Sequence, residues 1–385
     1  MRRNLKSYEE GDSLVRRRRP RWILRVTVIC CLLLAVSFFL APCFLAPPAI
    51  VNSAIQRFGG LEPLKVEGGD VSIGWLSPAS VTDVKMIGPE GDVLVGVQSV
   101  STEKGILSWF LAPLDIGTVT IKGLEADVIV ANGSTNLEQS LEGLLSKHSQ
   151  PDSTDSSRNI LSGSIIVSDA KLKLRNVSLP QQWLVDVPIL SLKLPTASQL
   201  LGPIELKAIF SETSGTVGNS IGQVLAKAEQ TEDGSIELRA KLDNLSLDVW
   251  DTIQSRLPWI PISGMTGHAS GVLAGNARDI EGWAFELQQI QVQGFEMTAP
   301  ELIGQTPARL NAIAAGGRVS LVSNRLLLEN TQLVCDVGDL KANASVPWPV
   351  KLPSLASPFL DDASFSASGH LDLPQLVRAA ASLLP

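Results

Sequence analysis

The 385-residue sequence predicts an all-β body behind a single N-terminal transmembrane helix. Three observations carry this: an uncharged run from Val26 to Gln56 entered through a cluster of arginines, period-two alternation of apolar and polar residues that recurs almost to the C-terminus, and only four short stretches with helical spacing.

Residues 1–21 form a basic cytoplasmic segment and residues 22–46 the transmembrane helix. Crossing the hydrocarbon core takes about 20 mostly apolar residues; Trp22 to Ala46 supplies them, with Arg25 close enough to the end to snorkel. Met1 to Arg25 holds nine Lys and Arg against three acids, among them the topogenic cluster Arg16, Arg17, Arg18, Arg19 and Arg21. Positive charge is retained in the cytoplasm, so the body lies across the membrane. A cleaved signal peptide is the competing reading. The apolar run exceeds a usual signal core, Pro47 follows the best small-residue site at Ala46, and Leu40-Ala41-Pro42-Cys43 has proline where a lipoprotein site wants a small residue. An uncleaved anchor is expected. Subtracting the segment's +6 from the net charge of −7 leaves −13 beyond it, which argues against nucleic acid as a partner.

Beyond the anchor, alternation marks strands at Val71, Ile73 and Trp75; at Val93, Val95 and Val97; at Leu124, Ala126, Val128 and Val130; at Leu172 and Leu174; and at Leu340, Ala342, Ala344 and Val346. The cleanest is Ser235 to Asp243, where Ile236, Leu238, Ala240 and Leu242 interleave with charged and polar residues and make an apolar candidate face. Helical spacing appears at Glu103–Leu111, Asn136–Lys147, Leu247–Arg256 and Pro374–Leu384. Four short helices cannot cover some fifteen to twenty strands. That leaves a sandwich, a closed barrel, or a long curved sheet whose apolar face stays a groove.

Ser149 to Asn159 is polar and without apolar period, so residues 149–159 are read as a linker between an N-terminal β module, 47–148, and a repetitive β body, 160–385. Within that body, Ala240 to Leu247 leading to Leu257-Pro258 echoes Gly369 to Leu376 leading to Leu384-Pro385, each a strand running into a short helix. The sequence is expected to end mid-architecture after Pro385, either as a fragment or as a protein that leaves an open sheet edge.

Chemistry-bearing patterns are few. Cys335 is the one cysteine outside the anchor region, so no disulfide is expected in the body, and His148, His268 and His370 lack partners at metal-ligand spacing. Gly218-Asn-Ser-Ile-Gly222 matches a nucleophile elbow around Ser220, but the preceding Ser211-Glu-Thr-Ser-Gly-Thr reads as loop where a buried strand is required. Asp361-Asp362 point apart on a strand, and no phosphate-binding glycine loop occurs. No cofactor, nucleotide or enzymatic activity is expected.

Residues 66–145 resemble the N-terminal module of AsmA-like proteins, the family that includes the TamB-type translocation and assembly factors. The resemblance lies in Val71-Ser-Ile-Gly-Trp-Leu-Ser-Pro, Val81-Thr-Asp-Val-Lys-Met, Gly91-Asp-Val-Leu-Val-Gly-Val-Gln-Ser-Val, the short helix at Ile106-Leu-Ser-Trp-Phe-Leu, Gly117 to Val128, and Asn132-Gly-Ser-Thr-Asn-Leu-Glu-Gln-Ser-Leu. It implies a protein held in the inner membrane with a periplasmic body. It also implies an elongated, curved, antiparallel-rich sheet with few short helices and an apolar groove, as in bridge-like lipid-transfer proteins. The expected role is therefore non-enzymatic lipid transport or envelope biogenesis, with membrane lipids and envelope proteins as partners. The alternative is an assembly scaffold that binds envelope proteins without carrying lipid. A lipid hydrolase acting through Ser220 is a third reading.

Overall fold

Alternating residues become strands, except that the one expected at Val71, Ile73 and Trp75 stops at Ser72. The computed structural model describes residues 30, 32–33, 64–131, 133–148, 162–194, 202–213, 220–231, 233–256, 263–277, 282–299, 304–347 and 363–375. The N-terminal part carries β1 (Lys65–Glu67), β2 (Val71–Ser72), β3 (Ser80–Ile87), β4 (Val93–Thr102), helix α1 (Ile106–Leu111), β5 (Asp115–Ala131), β6 (Ser134–Thr135) and helix α2 (Asn136–His148). Then follow β7 (Ser162–Asn176), β8 (Gln182–Lys193), β9 (Ile204–Glu212), β10 (Ser220–Gln230), β11 (Ile236–Ser246) and helix α3 (Val249–Gln254). The last six strands are β12 (Ser263–Ala277), β13 (Trp283–Ala299), β14 (Gly304–Val322), β15 (Arg325–Cys335), β16 (Gly338–Pro347) and β17 (Ser364–Leu371).

Among the described residues, seventeen strands form one curved sheet. β1 and β2 both pair with β3, which continues through β4 to β5. β5 lies parallel to β7, and from β7 to β17 each strand is antiparallel to the next. Of the three architectures open to the sequence, the curved single sheet is the one formed. Among the described residues β17 is registered against β16 alone, and every residue in it is exposed.

The curvature has a local cause. Asn244, Gln289 and Asn330 adopt φ of 51°, 52° and 50°, each inside a register skip: Leu242/Leu245, Leu287/Ile290 and Leu328/Thr331. These are β-bulges, which bend a strand and add twist. Each also switches the phase of the alternation, so the apolar residue after the skip returns to the same face. Amides released from the ladder find side chains, with Asn244 N donating to Ser270 Oγ at 2.9 Å and Asn330 N to Asn343 Oδ1 at 2.7 Å. Through the registers the three skips fall on one line across β11–β15, forming a transverse crease.

Helix α2 starts in a capping box: Glu138 N donates to Thr135 Oγ1 at 3.1 Å and Thr135 N to Glu138 Oε2 at 2.9 Å. Asn136 then takes the place of a neighbouring strand on β5, accepting from Ile129 N and donating to Asp127 O. Helix α3, although it connects β11 to β12, packs against β7 and the start of β8. Trp183 Nε1 donates to Thr252 Oγ1 at 3.1 Å and Asn176 Nδ2 to Thr252 O at 3.2 Å, with Thr252 fully buried. On a flat sheet β7 and β12 stand five spacings, roughly 24 Å, apart, whereas a six-residue helix is only about 9 Å long. The sheet therefore curls around α3, and Arg256 beyond α3 pairs with Glu138 of α2 across the same end.

Helix expectations fare unevenly. α2 matches; α1 begins three residues late because the Thr102 and Glu103 amides donate to Ala79 O and Thr118 O of the sheet. α3 is shorter than Leu247–Arg256 because Leu247 N is still bonded to Gly267 O of β12. Leu373–Gln375 are helical, and the rest of Pro374–Leu384 lies outside the described residues. So do the linker 149–159, the arginine cluster Arg16–Arg21, and the expected span Trp22–Ala46 apart from Cys30, Leu32 and Leu33, which are helical and exposed. Among the described residues no helix is long and apolar enough to cross a membrane.

Candidate functional site

Ile236, Leu238, Ala240 and Leu242 are half-buried on one face of β11, while Glu237, Arg239, Lys241 and Asp243 are exposed on the other. Side chains of directly paired residues share a face, so the registers extend that apolar face across the sheet. Through Leu238 runs the row Val119, Ile165, Leu192, Ile204, Ala228, Leu238, Gly275, Phe285, Val319, Leu328, Ala344 and Phe365, one residue from each of twelve strands and none of them polar. Through Ala240 runs a second row, Ile121, Val167, Leu190, Leu206, Ala226, Ala240, Leu273, Leu287 and Gly317. Eleven strand spacings make the first row about 53 Å long. It takes the side on which α3 sits, because Trp183 and Asn176 belong to the same face through Leu174 and Val130.

Coverage along this face is uneven. Val167, Ala170, Val185, Val187 and Ala208 on β7–β9 form a buried cluster with Ile121, Leu172, Leu206 and Phe210 packed around it. From β11 onward the corresponding residues are mostly half-buried, and at β17 Phe365 is 71% exposed. Gly275 gives its place in the row to a ring: a Cβ there would lie 2.3 Å from Phe285 Cδ1, and Phe285 in turn sits 5.4 Å from Trp283, centroid to centroid.

The opposite face carries charge of both signs in register with the apolar row: Ser191, Glu205, Lys227, Arg239, Ala274, Glu286, Arg318 and Glu329. Lys227 Nζ lies 2.6 Å from Glu205 Oε1 and holds that carboxyl below its usual range. A depression of about 660 Å³ spans β9–β14 here and is rimmed by Glu229, Glu237, Arg239 and Glu286. It is open to water among these charged side chains, and its lining also takes in Ile204, Ala228, Leu238, Gly275 and Phe285 of the apolar row.

Ser220 opens β10, opposite Ser211 of β9, and is followed by strand. A nucleophile elbow requires a strand-to-helix turn at the serine. His268 on β12 is registered against Ser246 of β11, so a whole strand separates it from β10, and His370 lies on β17 opposite Asp339. Two strand spacings, roughly 10 Å, exceed hydrogen-bond reach. No cluster of three or more His, Cys, Asp or Glu able to hold a metal occurs among the described residues.

The alternation of β11 is legible in the sequence, whereas most of what shapes its face is not. The phase switches at Asn244, Gln289 and Asn330 carry a readable signal in two cases out of three, an asparagine at the break in alternation, since Asn tolerates positive φ. The packing of α3 on β7 and β8 has no local signal, because its partners Asn176 and Trp183 lie about 70 residues away.

No family model matches the chain, and no curated protein matches it.

Proposed function

We propose that this chain is a non-enzymatic, single-pass protein of the inner membrane. Its N-terminus is cytoplasmic, and its periplasmic β body receives acyl chains on the apolar face of the sheet in lipid transport or envelope biogenesis. The observation that supports this most is the unbroken apolar row over twelve strands, half-buried from Val119 to Ala344 and exposed at Phe365. Hydrocarbon laid along it would stay out of water at about 0.8 kcal/mol per CH2. The twelve aligned positions include no polar group able to select a head group, so the reading is one of chain binding.

Photo-crosslinking tests it. Full-length protein in vesicles is irradiated with a phospholipid carrying a diazirine in its acyl chain, and crosslinked peptides are mapped. Crosslinks are expected at Leu238, Phe285 and Leu328. Leu238→Asp with Leu242→Asp should lower them about tenfold or more, because an unpaired carboxylate against hydrocarbon costs several kcal/mol and each ~1.4 kcal/mol is a factor of ten. Crosslinks confined to the N-terminal peptides would leave the scaffold reading in its place.

A further inference from the structure

Helix α1 carries an exposed apolar surface separate from the apolar rows of the sheet. Leu107, Phe110, Leu111 and Leu114 are 37%, 74%, 79% and 41% exposed. Their spacing of i, i+3, i+4 and i+7 puts them on one side of a helical turn and its exit. Leu76, 80% exposed, extends the surface from the preceding turn. That turn is fastened to the helix: Ile106 N donates to Gly74 O and Leu107 N to Trp75 O, while the Trp75 and Phe110 rings lie 6.5 Å apart. Gly105 is needed for this approach, since a Cβ there would come 2.6 Å from Trp75 O. Gly105 to Leu114 contains no charge, and the flanking charges neutralise one another, Lys104 Nζ lying 2.5 Å from Asp115 Oδ2. By contrast Ile189 and Leu225, exposed on the charged side of the sheet, are each paired with Lys207.

The position of α1 gives the surface a direction. α2 and α3 stand at the end of the sheet marked by Ala131, Asn176, Trp183 and Ser246. α1, inserted between Thr102 and Asp115, stands at the other end, with Ser162, Lys193, Ile204, Ile236 and Trp283. Among the described residues no other helix covers that end.

We propose that α1 and the Trp75–Ser77 turn form a membrane-seating foot, inserting Leu76, Leu107, Phe110 and Leu111 into the bilayer interface so that the uncovered end of the sheet meets the lipid. Aromatic and leucine side chains without charge suit the boundary between head groups and acyl chains. Geometry permits it. The 17 residues between Ala46, where the expected span ends, and Leu64 can reach at most about 56 Å, and Leu64 lies one β3 length, roughly 24 Å, from the α1 end. The foot takes its purpose from the acyl-chain reading, but its test does not depend on that reading.

The test uses full-length protein with its four native cysteines replaced by serine and one environment-sensitive fluorophore on Leu111→Cys. The protein is reconstituted in phosphatidylethanolamine–phosphatidylglycerol vesicles with brominated acyl chains. Labels at Ala35→Cys and His370→Cys report the expected span and the opposite end of the sheet. The Leu111 label is expected to shift to the blue and lose most of its emission to bromine while the His370 label keeps its own, and Phe110→Asp should restore the Leu111 emission without changing the Ala35 signal. A Leu111 label that iodide in the water quenches and bromine does not overturns the foot, as does one shielded from both quenchers, which would mark a protein partner. If the Ala35 label escapes bromine and the Leu111 label does not, the span fails and the foot stands.

Discussion

Strands β7–β9 and strands β15–β17 carry the same alternation and face the same side of one sheet, yet the first set encloses a core and the second leaves its face half open. Val167, Val185, Val187 and Ala208 are buried, whereas Leu340, Phe365 and Leu371 at the far end are exposed. The difference lies in what returns to cover the strands. The first set has Thr252 of α3 locked by Trp183 and Asn176, and α2 tied in through Glu138 and Arg256. Alternation thus decides which face is apolar, and long-range closure decides whether that face is packed or available.

The sharpest way to break this contrast is to place one charge in each region. Val187→Asp buries a carboxylate with no partner and should lower unfolding stability by about 3–5 kcal/mol. Ala367→Asp on fully exposed β17 should stay within about 0.5 kcal/mol. Denaturant midpoints of the two variants measure it. Equal losses would mean that the β15–β17 face is covered as fully as β7–β9.

Legibility in the sequence follows the same division between local and distant causes. Ile236 to Leu242 could be placed on one face because each residue's direction depends only on its neighbours two positions away. α2 could be placed because Asn136 to Lys147 carries its own apolar spacing. Neither the curl around α3 nor the buried state of Val185 could be read, since both depend on residues from other strands. The bulges fall between these cases. Asn244 and Asn330 announce themselves by residue type, whereas Gln289 breaks the alternation without any such sign. The candidate face was therefore legible as a pattern on one strand, and its extent over twelve strands was not, because register is a property of pairs.

Removing only the lock on α3 should sharpen the comparison. Thr252→Val keeps the shape and removes the oxygen that accepts from Trp183 Nε1, leaving a buried donor unpaired at a cost of about 1–3 kcal/mol. Thr252→Ser should recover most of the loss. Amide exchange in β7 and β8 should quicken while β15–β17 stay as they were; a uniform increase across all strands would show that α3 serves both regions equally.

The smallest effect concerns Asp251 on the same helix. Burial pushes its carboxyl above the usual range, against the Gly264 and Met265 amides that favour the charged form, and neighbouring Asp248 adds to the rise. A carboxyl raised by folding binds its proton more tightly in the folded state. Its contribution to stability is full at acid pH and lost as the pH climbs through the folded-state value. Asp251→Asn retains an oxygen for the 2.9 Å bond from Gly264 N and has no charge to desolvate. At neutral pH the variant should therefore be the more stable form, by under about 1 kcal/mol because the site is only partly shielded from solvent, and the advantage should vanish as the pH falls through the carboxylate range. Midpoints of variant and parent at neutral and acid pH decide it. A difference that stays constant with pH would assign the effect to packing, and the α3 end would then contribute no pH dependence to the closed half of the sheet.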